Sequence, residues 1–215
     1  CFHACMRHGR ISFQSPERFL REIRHRLYQI GTSQFYFADT IFLPNKGNRT
    51  NEMLKQLTQL KAEASQFSWW AEARVDLFLS KEDFLRLKEA GCRHIKFGVE
   101  AGNQKMLDRL NKGTKLEDIQ NAFKLSSEAG LQRTAYILLG CPGFTDQDYR
   151  DTLQFFRDLG AENYVLNINI PYQGTVSYNE VKEELHTQGL YLDGEEGFMH
   201  IAEDMQHFWG ISDTT

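Results

Sequence analysis

The chain has 215 residues, with 25 lysines and arginines against 29 aspartates and glutamates, a formal net charge of −4. That balance offers no basic surface for nucleic acid, and no apolar run is long enough to span a bilayer. Sixteen phenylalanines argue for a packed core over disorder.

Cys1–Gln14 has no convincing periodicity and reads as a loop. Ser15-Pro16-Glu17 is a helix start, because serine caps and proline is tolerated at the first helical position. Phe19, Leu20, Ile23 and Leu27 then recur at helical spacing until Gly31. The run Gln34–Ala38 reads as a short strand covered on both faces, with Asp39 at its far end. After a loop over Ile41–Gly47, Met53, Leu54, Leu57, Leu60 and Ala64 mark a second helix, and Trp69–Arg74 a second strand. Ser80-Lys81-Glu82-Asp83 resembles a capping box and opens a third helix. Gly91 leads into the strand His94–Val99 and then Glu100.

A short helix around Gln104–Leu110 precedes Gly113, and Thr114-Lys115-Leu116-Glu117 is a second capping box, opening a helix to Ala129. Gly130 leads into the strand Arg133–Leu139, which runs into Gly140-Cys141-Pro142-Gly143. Tyr149, Leu153, Phe156 and Leu159 share a further helix, and Gly160 leads into the strand Tyr164–Ile170. Beyond Tyr178 the pattern weakens, with helical character over Glu180–Leu185 and a solvated acidic stretch at Asp193–Glu196.

Helix, glycine, strand and polar end therefore repeat along the chain, as parallel βα units require. The fold expected is α/β, a partial (β/α)6 barrel whose first strand lies upstream of residue 1. A doubly wound sheet remains the alternative that spacing leaves open. In either architecture chemistry gathers at the carboxyl ends of the strands, where Asp39, Arg74, Glu100 and Gly140 fall.

An ordered set of short strings then resembles the radical S-adenosylmethionine (radical SAM) enzymes. The strings are Gly9-Arg10 with Ser15-Pro16-Glu17, Asp39-Thr40-Ile41-Phe42, Glu72-Ala73-Arg74-Val75-Asp76, Ala90-Gly91-Cys92 and Phe97-Gly98-Val99-Glu100-Ala101-Gly102. Lys112-Gly113-Thr114, Gly140-Cys141-Pro142-Gly143 and Pro171-Tyr172-Gln173-Gly174-Thr175 complete it. The resemblance is to the branch whose members often carry a cobalamin-binding domain, and it covers residues 1–178. Residues 179–215 form an extension it does not reach.

The resemblance implies a 4Fe–4S cluster held by three cysteine thiolates spaced C-x3-C-x2-C, with the fourth iron open to S-adenosylmethionine. It implies that Asp39 meets the cofactor's amino group, Glu100 its ribose or amino acid part and the Gly140 backbone its adenine. Arg74 is placed to pair with the methionine carboxylate or a substrate acid. For each there is a plainer role: a turn for Asp39, an ion pair with Asp76 for Arg74, a helix-start acid for Glu100. Phe144 stands where family members commonly carry glutamate.

The cysteine signature is incomplete. Either Cys1 and Cys5 are the first two ligands and His8 replaces the third, or Cys1 is the third and the others lie upstream. The distance from Cys1 to Ser15-Pro16-Glu17, the non-aromatic Arg7 and the non-methionine start favour the second alignment, in which the chain is part of a larger protein. Cys92 and Cys141 look isolated, and Cys141 suits a small buried residue better than a ligand. Trp69 and Trp70 read as core.

The activity implied is reductive cleavage of S-adenosylmethionine to a 5′-deoxyadenosyl radical, for hydrogen abstraction or cobalamin-dependent methyl transfer. The expected partners are a small-molecule or peptide substrate and an electron donor such as flavodoxin or ferredoxin. No nucleic acid or membrane partner is expected, and with no secretory signal the setting is cytoplasmic. The competing reading is a barrel-derived binding or scaffold module without a cluster.

Overall fold

The computed structural model describes residues 13–38, 42, 47–77, 80–172 and 175–187. Two compact units share the chain: Phe13–Ile137 with Thr145–Asn167, and Cys1–Ser12 with Leu138–Phe144 and Ile168–Thr215.

The larger unit holds most of the sheet. Strands β1 (Gln34–Phe37), β2 (Ser68–Ala73), β3 (Cys92–Glu100), β4 (Gln132–Leu139) and β5 (Asn163–Ile168) lie in the order β1-β2-β3-β4-β5. Pairing is parallel, with Phe35 opposite Trp69, Glu72 opposite Lys96 and Gly98 opposite Tyr136. Helices α1 (Pro16–His25), α2 (Asn48–Glu63), α3 (Lys81–Glu89), α4 (Gln104–Arg109), α5 (Leu116–Glu128) and α6 (Asp146–Leu159) alternate with the strands. An unbroken strand order with a helical crossover between neighbours is the partial barrel expected, and it excludes the doubly wound order, in which the sequence of strands reverses.

Local chemistry sets the helix ends. Ser15 accepts from the Arg18 N–H, Ser80 from the Asp83 N–H and Asn103 from the Met106 N–H. The helix α1 widens in its last stretch into a π-helical turn, Arg26–Ile30, and stops at Gly31 with φ +81°. Gly91, Gly130 and Gly160 also hold positive φ, so all four glycines of the repeat stop the chain as expected. One cap falls elsewhere. The box expected at Thr114 sits one residue later, with the Lys115 N–H donating to Asp118, and the Thr114 hydroxyl is buried without a partner among the described residues.

The core lies between sheet and helices. Phe35, Phe37, Trp69, Ile95, Phe97 and Ile137 are buried on that side, against Leu20, Leu57, Phe84 and Phe123 from the helices. The side-chain period of two then sends the alternate residues to the other face. On β3, Ile95, Phe97 and Val99 are buried while Lys96, Gly98 and Glu100 are half-exposed. The same alternation corrects the expectation for β1: Tyr36 is 41% exposed, so that strand is covered on one face only. The other face is where polar side chains collect.

Candidate active site

On the open face three strands converge on one carboxylate. Glu72 of β2 accepts from the Tyr36 hydroxyl of β1 at 2.6 Å and from the Tyr136 hydroxyl of β4 at 3.0 Å, both on Oε1. Tyr136, the register partner of Gly98, reaches across β3 to Glu72. Burial first, and the bond to Glu72 second, push the Tyr136 phenol up to about 12 and raise Tyr36 as well. Both phenols therefore stay protonated donors at neutral pH. The Lys96 ammonium stands 4.5 Å from the Tyr36 ring centroid, and Trp70 stacks on the same ring at 6.0 Å. Trp70 thus belongs to this face, whereas Trp69 is core, its indole N–H donating to the Ala90 carbonyl at 2.7 Å.

Nearer the carboxyl ends lies a second cluster. Arg74, one residue past β2, grips Asp76 with two bonds, Nε to Oδ1 at 2.9 Å and Nη2 to Oδ2 at 2.7 Å. The hydrogen bond from Arg74 holds Asp76 below the usual carboxylate range, and the same bond raises Arg74. Arg74 Nη2 also donates to the Lys112 carbonyl at 3.1 Å. The other end of Lys112 reaches Glu100, Nζ to Oε1 at 3.1 Å, with both side chains 22% exposed. One residue of the α4–α5 loop thereby ties together the ends of β2 and β3.

Glu100 has φ +72°, a left-handed backbone uncommon for a residue with a side chain. The β3–β4 register slips between Gly98 and Glu100, and this bulge re-aims the carboxylate. A Cβ at Gly98 would lie 3.1 Å from Glu100 Oε1 and 3.6 Å from Lys112 Nζ. The ion pair occupies space that glycine leaves free.

Of the residues singled out from sequence, the structure thus links Arg74 and Glu100 through Lys112. Gly140 lies in the smaller unit with φ +72°, beside Leu139, whose carbonyl accepts from the Asn169 N–H at 2.7 Å. Asp39, Cys1, Cys5 and His8 lie outside the described residues. Cys141 is buried, in keeping with its packing role, and burial pushes the Cys92 thiol up to about 12. Among the described residues no three histidines, cysteines or acids gather as metal ligands. His94 instead bonds Thr134 across the sheet at 2.7 Å.

Glu72, Tyr36, Tyr136 and Lys112 were not singled out from sequence. Glu72 and Lys112 sit inside strings that carry the family resemblance. For the tyrosines the signal is the period-two alternation, which puts Tyr36 and Tyr136 on the open face.

Comparison with known proteins agrees with this geometry. The family model described as the radical SAM superfamily matches residues 2–156. An uncharacterized methyltransferase of Pyrococcus horikoshii is 29% identical over 161 residues, 75% of this chain and 34% of the relative. The chain spans about a third of the length of that curated relative and of the next, a heme chaperone of Bacillus subtilis. Among solved structures, the radical S-adenosylmethionine methyltransferase TsrM of Kitasatospora setae, with cobalamin and a [4Fe–4S] cluster bound, superposes with a TM-score of 0.69 at 20% identity. That match covers 82% of this chain and 35% of TsrM. The cobalamin-dependent radical enzyme OxsB matches at 0.54 and 25% identity, over 81% of this chain and 26% of OxsB. A parallel partial barrel, acids and bases gathered at its strand ends, and a family model that takes in most of the residues show that the chain belongs to the radical SAM superfamily of enzymes.

Proposed function

We propose that this chain is the cofactor-binding core of an enzyme that holds a 4Fe–4S cluster and S-adenosylmethionine. The observation that carries the reading is Glu100, held by Lys112 beside Arg74 at the carboxyl ends of two adjacent strands. The donor set fits the adenosyl and methionine parts. Glu100 Oε1 is taken by Lys112, while Oε2 has no partner among the described residues and is free to accept from a ribose hydroxyl. Arg74 has spent Nε and Nη2, and Nη1, without a partner among the described residues, is left for the methionine carboxylate. Glycine at Gly98 makes room for the Glu100–Lys112 pair that aims the carboxylate. Asp39 and the Gly140 backbone are assigned the amino group and the adenine, and Cys1 the cluster, on the family resemblance alone.

When bound, the cluster and the sulfonium supply reductive cleavage to methionine and a 5′-deoxyadenosyl radical, used for hydrogen abstraction or followed by cobalamin-dependent methyl transfer. The chain's own residues bind, orient and exclude water. The Tyr36–Glu72–Tyr136 group, deeper on the same face, is a rigid acceptor turned toward a substrate. The electron donor is a small redox protein such as flavodoxin or ferredoxin, and the substrate a small molecule or peptide.

The test is anaerobic reconstitution of the full-length protein with iron and sulfide, reduction with dithionite, and assay for 5′-deoxyadenosine. Formation of 5′-deoxyadenosine that falls at least about tenfold in Glu100→Gln is the outcome expected, a loss of about 1.4 kcal/mol. A stable cluster with no cleavage in the wild type overturns the assignment.

A further inference from the structure

We infer that Lys112 is a positioning residue for the adenosyl end of the cofactor, acting through Glu100; this rests on the reading of the site given above. Among the described residues Lys112 alone bonds both Arg74 and Glu100. Its backbone is fixed between two left-handed residues, Asn111 at φ +51° and Gly113 at φ +66°, and its N–H donates to the Leu107 carbonyl at 3.1 Å. A lysine side chain is a flexible stem ending in a point charge. Here the stem starts from a pinned backbone and ends on a carboxylate whose own backbone is strained.

That strain needs a counterpart. A residue with a side chain held at positive φ persists only where its surroundings over-determine it. The Lys112 ammonium is the charged partner that Glu100 has, in a setting only 22% exposed, where solvent screens the pair less than at the surface. The bond fixes Oε1 and so the plane of the carboxylate. It leaves Oε2 aimed by the same constraint, ready for a hydroxyl donor without a search over rotamers. The Lys112 carbonyl does the same for Arg74 by accepting from Nη2 at one edge of the guanidinium fork.

The roles of charge and backbone separate by mutation, because Lys112→Met keeps the carbonyl and removes the ammonium. The experiment titrates S-adenosylhomocysteine into the reconstituted full-length protein by calorimetry, for wild type, Lys112→Met, Lys112→Arg, Glu100→Gln and the Glu100→Gln/Lys112→Met double variant. Lys112→Met is expected to raise Kd about tenfold, Lys112→Arg to restore it to within about threefold, and the double variant to bind within about twofold of Glu100→Gln. In steady-state cleavage, Lys112→Arg is expected to raise KM for S-adenosylmethionine with kcat unchanged, as lost uniform binding requires. Wild-type affinity in a folded Lys112→Met protein overturns the inference, and so does an undiminished loss in the Glu100→Gln background. If Lys112→Met does not fold, Lys112→Arg and Glu100→Gln still carry the KM test, and an unchanged KM in both overturns it. Failure of the wild type to bind the probe overturns the underlying reading of the site instead, so the two failures are distinct.

Discussion

Glycine 98 is the residue on which the Glu100–Lys112 pair depends. Its missing side chain leaves the space that the Glu100 carboxylate and the Lys112 ammonium fill. An added Cβ 3.1 Å from Glu100 Oε1 obliges that flexible carboxylate to give by a few tenths of an ångström. Gly98→Ala is therefore expected to change the midpoint of thermal unfolding little and to weaken S-adenosylhomocysteine binding about three- to tenfold. A variant that melts well below wild type with unaltered affinity would mean that Gly98 serves packing alone.

The Arg74–Asp76 pair allows a prediction with a pH sign. Asp76 is held below its ordinary value of 3.8, chiefly by the hydrogen bond from Arg74. A depressed folded-state carboxylate contributes stability above the unfolded value and loses it as pH falls through the folded one. The pair is partly solvated, so its worth is modest, under about 1 kcal/mol. Asp76→Asn is expected to cost that much in urea unfolding at neutral pH, with the gap closing below pH 3.8. A gap that persists undiminished in acid would show that the carboxylate's charge is not what matters.

What the sequence shows at this scale depends on whether a residue's partner is local. Arg74 and Asp76 are two apart, and their pairing is visible as one of two readings before any coordinates. Tyr36, Glu72 and Tyr136 are 36 and 64 residues apart, and only strand register brings them together. The positive φ of Glu100 is equally hidden, because it follows from a bulge set by neighbouring strands.

At the scale of elements one close joint lies between Gly102, just before α4, and helix α6. The Gly102 N–H donates to the Thr152 hydroxyl at 3.1 Å, and a Cβ at Gly102 would meet the Thr152 Cα at 2.7 Å. Backbone cannot yield as a side-chain tip does. Gly102→Ala is thus an overpacking change, expected to cost about 1–3 kcal/mol or more in chemical denaturation. A cost below half a kilocalorie would show that the α4–α6 contact is loose. The same joint carries Lys105 on Asp148, which also closes the box with Thr145 and so is held well below the usual carboxylate range by Lys105 first and Thr145 second. Glycine stops and serine caps were legible because they are local chemistry written in one residue. The cap at Lys115, one residue later than expected, and the π-helical turn at Arg26–Ile30 were not.

For the whole molecule, the proposed cluster requires three thiolates, and the two alignments of the cysteine signature draw them from different places. Three thiolates at C-x3-C-x2-C spacing hold a cluster in this superfamily, and one does not. With Cys1 as the third ligand, the 215-residue chain reconstituted alone with iron and sulfide is expected to show no stable visible absorption from a cluster. A protein extended upstream is expected to show it, and Cys1→Ala in that protein to abolish it. The other alignment makes the opposite forecast. With Cys1, Cys5 and His8 as ligands, the chain alone binds a cluster, and Cys5→Ala and His8→Ala each lose it. The buried cysteines serve as internal controls, because Cys92, pushed up to about 12, offers no thiolate at neutral pH. Cys92→Ala is expected to leave the absorption unchanged in either protein, so any loss there would point to unfolding and not to ligation. A cluster in the short chain that survives Cys5→Ala and His8→Ala contradicts both alignments, and would move the search for ligands away from the segment that opens the chain.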